Sequence, residues 1–150
     1  MNEVMTKSHV DLSRKVVFQM EKELLKLPQI ELPVFHHFAK GVCARELHIP
    51  ADTVLTGAVH LHDNLNFLLQ GTISVLTDKG MEILSAPATV VSPAGTKRIA
   101  YAHTDCIWTT IFGTDEKDVD KIISQFTSND ELEYLELKNE ILIEGDRSWQ

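Results

Sequence analysis

Turn-forming residues recur about every ten positions through the middle of the chain. Short strands separated by turns at this spacing are typical of an all-β sandwich or barrel. The turn positions are Pro50 with Asp52, Gly71, the segment 78–80, Pro87, the segment 93–95, Thr104 with Asp105, and Gly113. The spacing therefore predicts a mainly β domain over this part of the chain.

Helical periodicity occurs at the two ends of the chain. Apolar residues spaced for an amphipathic helix lie between Asp11 and Leu27, with Asp11 or Ser13 as the N-cap and the end before Pro28. A second helix is predicted over residues 115–126, where acidic residues near the start favour the helix dipole. The tail over 128–150 is expected to be a loosely attached helix or a partner-binding arm, disordered at its end.

The chain of 150 residues, 43% of them hydrophobic, has the size of one domain with one core. We divide it into an N-terminal helical segment (1–29), a β-barrel (30–113), and a C-terminal helix with an acidic tail (114–150). The net charge is −8, and the part from residue 115 onward, with eleven acidic and four basic residues, carries −7 of it. This balance argues against binding to nucleic acid or to anionic membranes.

The cysteines and the N-terminal segment bear on the compartment. Cys43 and Cys106 are the two cysteines, and the N-terminus has no apolar stretch followed by a cleavage site. No apolar run approaches the roughly 20 residues of a membrane-spanning helix. We expect a cytoplasmic protein with free thiols and no membrane segment.

A row of polar residues distinguishes the segment 56–71. Its even positions carry His60, His62, Asn64 and Asn66, and the odd positions are apolar except for Asp63. Alternation with a period of two predicts a strand with one polar face. That face is either the floor of a pocket or an ordinary solvated surface.

The adjacent His36 and His37 are interpreted as structural or surface residues, because neighbours on a strand point to opposite faces. The isolated His48 is interpreted in the same way.

The segment 43–113 resembles the cupins, which are small jelly-roll β-barrels. Residues 92–98 (SPAGTKR) resemble the second cupin motif, with Arg98 at the position of the metal-binding histidine. Residues 60–71 resemble the first motif, with Asn64 at the glutamate position and His60 at the second histidine position. The resemblance implies a mainly β fold, a cupin jelly-roll barrel with an N-terminal and a C-terminal α-helix, and a homodimer. A narrower resemblance, over about 49–112, to uncharacterised cupin-like proteins of tailed bacteriophages implies a viral origin and a place in the host cytoplasm.

If the even positions face into the barrel, His60, His62, Asn64 and Asn66 share a pocket with Arg98. A guanidinium beside neutral donors and acceptors favours an anion, and Tyr101 or Trp108 could stack on a ring of the ligand. We therefore predict non-catalytic binding of a small polar anion, a nucleotide derivative or an acidic or phosphorylated sugar. In a phage, such a protein would sequester a host signalling molecule. Trp108 and Phe112 are expected to fill the core.

Two other functions stay open at this point. One is a metal-dependent cupin enzyme, an isomerase or oxygenase, with zinc, iron, manganese or nickel on His60, His62 and His103. Arg98 speaks against it because a cation repels a metal, so no cofactor is expected. The other is a structural or interaction protein that binds through the terminal helices and the acidic tail. No Ser-His-Asp order or phosphate loop is present, so the sequence favours binding over catalysis.

Overall fold

The computed structural model describes residues 3–77 and 79–147, with side-chain surroundings for 10–77 and 79–139. Three helices and eleven strands are found in the described residues, and their order places most strands between the first and the second helix. The elements are α1 (Glu3–Leu24), β1 (Val34–Ala39), β2 (Val42–Ile49), β3 (Val54–Thr56), β4 (Val59–His60), β5 (Asn64–Gln70), β6 (Thr72–Thr77), β7 (Gly80–Ser85), β8 (Ala88–Ser92), β9 (Ile99–Ala102), β10 (Cys106–Phe112), α2 (Val119–Phe126), β11 (Thr127–Ser128) and α3 (Glu131–Arg147).

The strands form two main antiparallel sheets. One has five strands in the order β1-β2-β10-β5-β8, and the other has four in the order β3-β9-β6-β7. A short pair, β11-β4, joins the C-terminal part to the barrel. The predicted fold class, a mainly β cupin-type jelly roll with helices at both ends, is confirmed.

The apolar core lies between the two main sheets. Period-two alternation turns Leu47 and Ile49 of β2 inward, and Trp108 of β10 pairs with Leu47 and with Leu68 of β5. From the four-stranded sheet come Ile73 and Val75, which are both about 1% exposed. The buried cluster consists of Leu47, Ile49, Leu68, Ile73, Val75, Ala100, Ala102 and Cys106. Both cysteines are buried free thiols, as expected.

Two buried cations attach α1 to the barrel. Arg14, 2% exposed, donates to the carbonyl oxygen of Gly95 at 3.1 Å and lies 4.5 Å from the ring centroid of Tyr134 in α3. The side chain of Lys97 is fully buried, and its Nζ lies 2.9 Å from the carboxylate of Glu21. Pairing inside the protein compensates for the lost hydration of both cations. α1 is therefore an integral part of the domain.

The expected N-cap of α1 at Asp11 or Ser13 is wrong. The helix already includes Glu3, because no proline or glycine interrupts residues 3–24. Asp11 accepts a hydrogen bond from Arg14 one turn later, at 2.9 Å. The helix ends at Leu24, and residues 25–27 form a turn before Pro28.

Two other expectations about elements need correction. The second helix begins at Val119, later than predicted, because Asp118 caps it by accepting the backbone N–H of Asp120 at 3.0 Å. The acidic tail is attached at its start, since Tyr134 in the first turn of α3 is 4% exposed and contacts Arg14. The disorder predicted at the end of the chain falls partly on residues 148–150, which lie outside the described residues. Within residues 3–77 and 79–147, no helix is long and apolar enough to cross a membrane.

The segment 54–70 is not one strand. The chain leaves the four-stranded sheet after Thr56, pairs briefly through β4 with β11, bends over residues 61–63, and joins the five-stranded sheet at Asn64. Each change of sheet resets which positions face inward. The polar row of the sequence is therefore divided between different surroundings.

Candidate functional site

A cavity of about 690 Å³ lies inside the barrel. The two main sheets form most of it, and the end of α1 with the following segment 25–32 closes one side. Apolar side chains make up most of the wall, among them Leu24, Leu32, Val34, Leu47, Ile49, Leu55, Ile73, Val75 and Ala100. Trp108 and Phe112 add two aromatic rings, so the expectation that they only fill the core was incomplete.

Ten polar residues are among the described residues that line the same cavity. We call four of them the polar belt: Arg45, His60, Arg98 and Thr110. Arg45 on β2 is the direct cross-strand partner of Thr110 on β10. Directly opposed residues on one face of an antiparallel pair have Cβ atoms about 5 Å apart. The guanidinium of Arg98 lies 5.4 Å from the ring centroid of Trp108. The belt thus combines two cations, an imidazole and a hydroxyl in mostly apolar surroundings.

The charges at the cavity are unequally compensated. Glu21, the one carboxylate among the described lining residues, is bound by Lys97 and also accepts a hydrogen bond from Thr56. Among the residues that the structure describes, no acidic side chain forms an ion pair with Arg45. Burial lowers the pKa of Arg45, although a guanidinium stays protonated in proteins. Arg45 therefore brings a positive charge that this part of the chain does not neutralise.

His60 is held at the belt by its backbone. Its N–H donates to the carbonyl oxygen of Thr96 at 3.0 Å, and its own carbonyl accepts from the N–H of Gly95 at 2.7 Å. The imidazole stacks on Phe112 with ring centroids 6.4 Å apart. Burial, and then the positive charges of Arg98 and Arg45, lower the pKa of His60 to about 4. The imidazole is therefore neutral at neutral pH and can donate one hydrogen bond and accept another.

A buried amide pair lies beside the belt, since Asn66 on β5 is the cross-strand partner of Thr110 on the same face of the sheet. Asn66, 0% exposed, accepts a hydrogen bond from Thr110 at 2.8 Å and donates to the side-chain oxygen of Asn64 at 2.6 Å. Ser92 is a further neighbour, with its hydroxyl oxygen 3.3 Å from the Asn66 amide nitrogen. The amide nitrogen of Asn64 is buried without a hydrogen-bond partner in the described part of the chain. This network holds the hydroxyl of Thr110 in place through its hydrogen bond to Asn66.

The structure brings together only part of the predicted site. His60 and Arg98 both line the cavity, and Asn64 and Asn66 are buried beside it, next to Thr110. His62, by contrast, is exposed and packs edge-on against Phe126, with centroids 5.8 Å apart. It belongs to the bend over residues 61–63, where the period-two alternation does not apply.

Tyr101 also lies away from the cavity lining. Its hydroxyl donates to Asp52 at 2.6 Å, and its ring contacts that of His103 with centroids 4.9 Å apart. Tyr101 follows Ala100, which does line the cavity, so its side chain has the opposite direction on β9. Of the two aromatic residues considered for stacking on a ligand, Trp108 is the one that lines the cavity.

The residues present do not fit a metal ion. His103 is bonded to Ser74 at 2.6 Å, His62 is on the exposed bend, and His60 has guanidiniums as its charged neighbours. In residues 3–77 and 79–147, no group of three His, Cys, Asp or Glu side chains could hold a metal. A transition-metal site needs about three protein ligands in one geometry. We therefore derive no chemical step through a metal.

Sequence reasoning missed Arg45 and Thr110, yet both carry a usable signal. The inward positions of β2 read Cys43, Arg45, Leu47 and Ile49, and Arg45 is the one charge in an otherwise apolar row. Thr110 likewise stands between two inward aromatic residues of β10. A single polar residue among the apolar, inward-facing positions of a strand is a better indicator of a cavity than a run of polar residues.

Together, the two main sheets and the cavity between them define a mainly β protein with a cupin-like jelly-roll fold. No protein-family model and no curated protein matches the chain. Similar solved structures include a cupin superfamily protein from Desulfitobacterium hafniense (14% identity, 62% of this chain and 86% of that chain, TM-score 0.48). KdgF from Halomonas sp. is also similar, with 16% identity over 58% of this chain and 86% of that chain and a TM-score of 0.48. So is ectoine synthase from P. lautus, with 11% identity over 58% of this chain and 67% of that chain and a TM-score of 0.49. Values this low bear on neither ligand nor reaction.

Proposed function

We propose that this chain binds a small organic anion in the barrel cavity, with the anionic group at the polar belt. The observation that carries the proposal is Arg45, a partly buried residue that lines the cavity and has no acidic partner among the described residues. Burying such a charge is costly unless it is paired, and a bound anion would pair it. Arginine matches carboxylate and phosphate groups through two parallel hydrogen bonds.

The wall of the cavity indicates what the rest of the ligand is like. Roughly 300–1,000 Å³ is usual for small-molecule sites, and the cavity of about 690 Å³ lies within this range. Of the ligand classes predicted from the sequence, a nucleotide derivative fits better than a sugar, because a base is flat and can pack against Trp108. An acid with an aliphatic or aromatic body fits equally well.

Thermal unfolding and isothermal titration with four probes test this proposal. Adenosine monophosphate, glucuronate and 3-phenylpropionate are anions, and 3-phenylpropanol is a neutral analogue of the last. We expect 3-phenylpropionate or the nucleotide to bind, and 3-phenylpropanol to bind much more weakly. Arg45→Met should raise the Kd of the bound anion about 10- to 100-fold, the equivalent of a charge-assisted hydrogen bond.

Lys40→Met is the matched control, since it removes a positive charge from the exposed β1–β2 turn. It should leave the Kd unchanged. The proposal is contradicted if Arg45→Met and Lys40→Met bind the anion with equal affinity. It is also contradicted if adenosine monophosphate, glucuronate and 3-phenylpropionate all fail to bind. The second outcome would favour the interaction-protein alternative, in which the terminal helices bind a partner.

The biological form of the proposal follows the phage resemblance. A phage-encoded protein of this kind would bind a host metabolite, and binding alone would be enough to sequester it. The expected homodimer and cytoplasmic location stay predictions. α1 does expose an apolar stripe, Leu12, Val16 and Met20, on the side away from the barrel.

A further inference from the structure

The network beside the polar belt fixes the direction of one hydrogen bond at the cavity. The amide nitrogen of Asn66 lies 3.3 Å from the backbone oxygen of Val90, a group that can only accept. Turning the Asn66 amide around would place its oxygen against this carbonyl oxygen. The oxygen of Asn66 therefore faces Thr110, at 2.8 Å.

Because an amide oxygen only accepts, Thr110 must donate its proton to Asn66. A hydroxyl has one proton, so Thr110 has none left for a ligand and can only accept a hydrogen bond from the cavity. Its cross-strand neighbour Arg45 presents only donors. The two side chains, whose Cβ atoms are about 5 Å apart, thus require different groups on a ligand. Arg45 requires an acceptor, and Thr110 requires a donor.

We infer that the ligand is a hydroxy acid with an apolar body, whose hydroxyl group lies one or two carbons from the acid and donates to Thr110. This inference rests on the proposed function, since it names the ligand class of the same cavity. An ammonium group could also donate to Thr110, but Arg45 and Arg98 would repel its positive charge. A neutral hydroxyl satisfies the threonine without that repulsion.

Three probes that share one apolar body test the inference by titration calorimetry: 3-phenylpropionate, 3-phenyllactate and phenylalanine. 3-Phenyllactate adds one hydroxyl beside the carboxylate, and phenylalanine adds an ammonium group there. One well-placed hydrogen bond is worth about 5- to 10-fold in affinity, so 3-phenyllactate should bind more tightly than 3-phenylpropionate by that factor. Phenylalanine should bind most weakly. One enantiomer of 3-phenyllactate should be preferred, because Arg45, Thr110 and the apolar wall fix three points.

Thr110→Val keeps the shape of the side chain and removes the acceptor, so it should abolish the preference for 3-phenyllactate over 3-phenylpropionate. Thr110→Ser should keep the preference. Thr109→Val is the matched control: its hydroxyl is buried on the opposite face of β10 without a partner among the described residues. It should change none of the three affinities.

The outcomes separate this inference from the proposed function. If 3-phenylpropionate binds and the wild-type protein does not prefer 3-phenyllactate, the hydroxy-acid inference is wrong and anion binding stands. The same holds if Thr110→Val keeps the preference. If neither acid binds, the hydroxy-acid inference is wrong, and anion binding is then decided by adenosine monophosphate and glucuronate. The wild-type comparison decides the inference even if Thr110→Val does not fold.

Discussion

The neutral state of His60 should make the stability of the protein depend on pH in a defined window. Its pKa in the folded protein, about 4, lies below the ordinary value of 6.5 because of burial and of the charges on Arg98 and Arg45. The unfolded chain therefore binds a proton first as the pH falls. The contribution of His60 to stability is complete above pH 6.5, decreases through about pH 4, and is constant below that. At about 1.4 kcal/mol per pKa unit, the change is roughly 3 kcal/mol.

Urea denaturation of the wild-type protein and of His60→Gln, from pH 7 to about pH 4, measures this term. Carboxylates such as Glu46, whose pKa is lowered by hydrogen bonds from His48 and His37, also reduce stability as the pH falls. Their effect is the same in both proteins, so it cancels when the unfolding free energy of His60→Gln is subtracted from that of the wild type. The difference in unfolding free energy should change by roughly 3 kcal/mol across the window. His62→Gln, at the exposed bend outside the cavity, should leave the pH dependence unchanged. Parallel profiles for the wild type and His60→Gln would refute the reasoning.

Two further predictions concern the attachment of α1 and the turn before β6. Glu21→Leu should lower the free energy of unfolding by about 3–5 kcal/mol, because it leaves the buried charge of Lys97 unpaired. Adding Lys97→Met should restore most of that stability. If the two substitutions instead give additive losses in urea denaturation, the prediction is wrong. Gly71→Ala should lower stability by more than about 2 kcal/mol, since φ is +89° and a Cβ would overlap the carbonyl oxygen of Asp105. Gly41→Ala, at φ +81° with open space around it, should cost clearly less in the same assay.

The fold was predictable from the sequence because strands and turns leave local patterns. Turn spacing gave the strands of the barrel, and the segment 92–98 placed Arg98 at the cavity. The same rule of alternation failed for His62, because it holds only while the chain stays in one sheet. Nothing in the local pattern marks where a chain leaves one sheet for another. That step depends on long-range pairing, here between β4 and β11, which lie more than 60 residues apart.

The cavity wall was harder to predict because its residues come from distant parts of the chain. The side chain of Glu21 lines the cavity from α1, and its charge is neutralised by Lys97 from the turn before β9. A sequence shows both charges and not their pairing. The predicted polar pocket is therefore more apolar than expected, and its uncompensated charge comes from Arg45, a residue that the motif resemblance did not include.

Arg45 allows a test that separates a binding role from a structural one. A guanidinium without an acidic partner in a mostly apolar cavity reduces stability, so a residue kept only for folding would be expected to be apolar. Arg45→Met should therefore raise the unfolding free energy by about 1–2 kcal/mol while it weakens anion binding. Urea denaturation without ligand measures the first effect, and calorimetry with 3-phenylpropionate measures the second. A variant that is less stable than the wild type would show that Arg45 supports the barrel itself, and its position in the cavity would then no longer argue for a ligand.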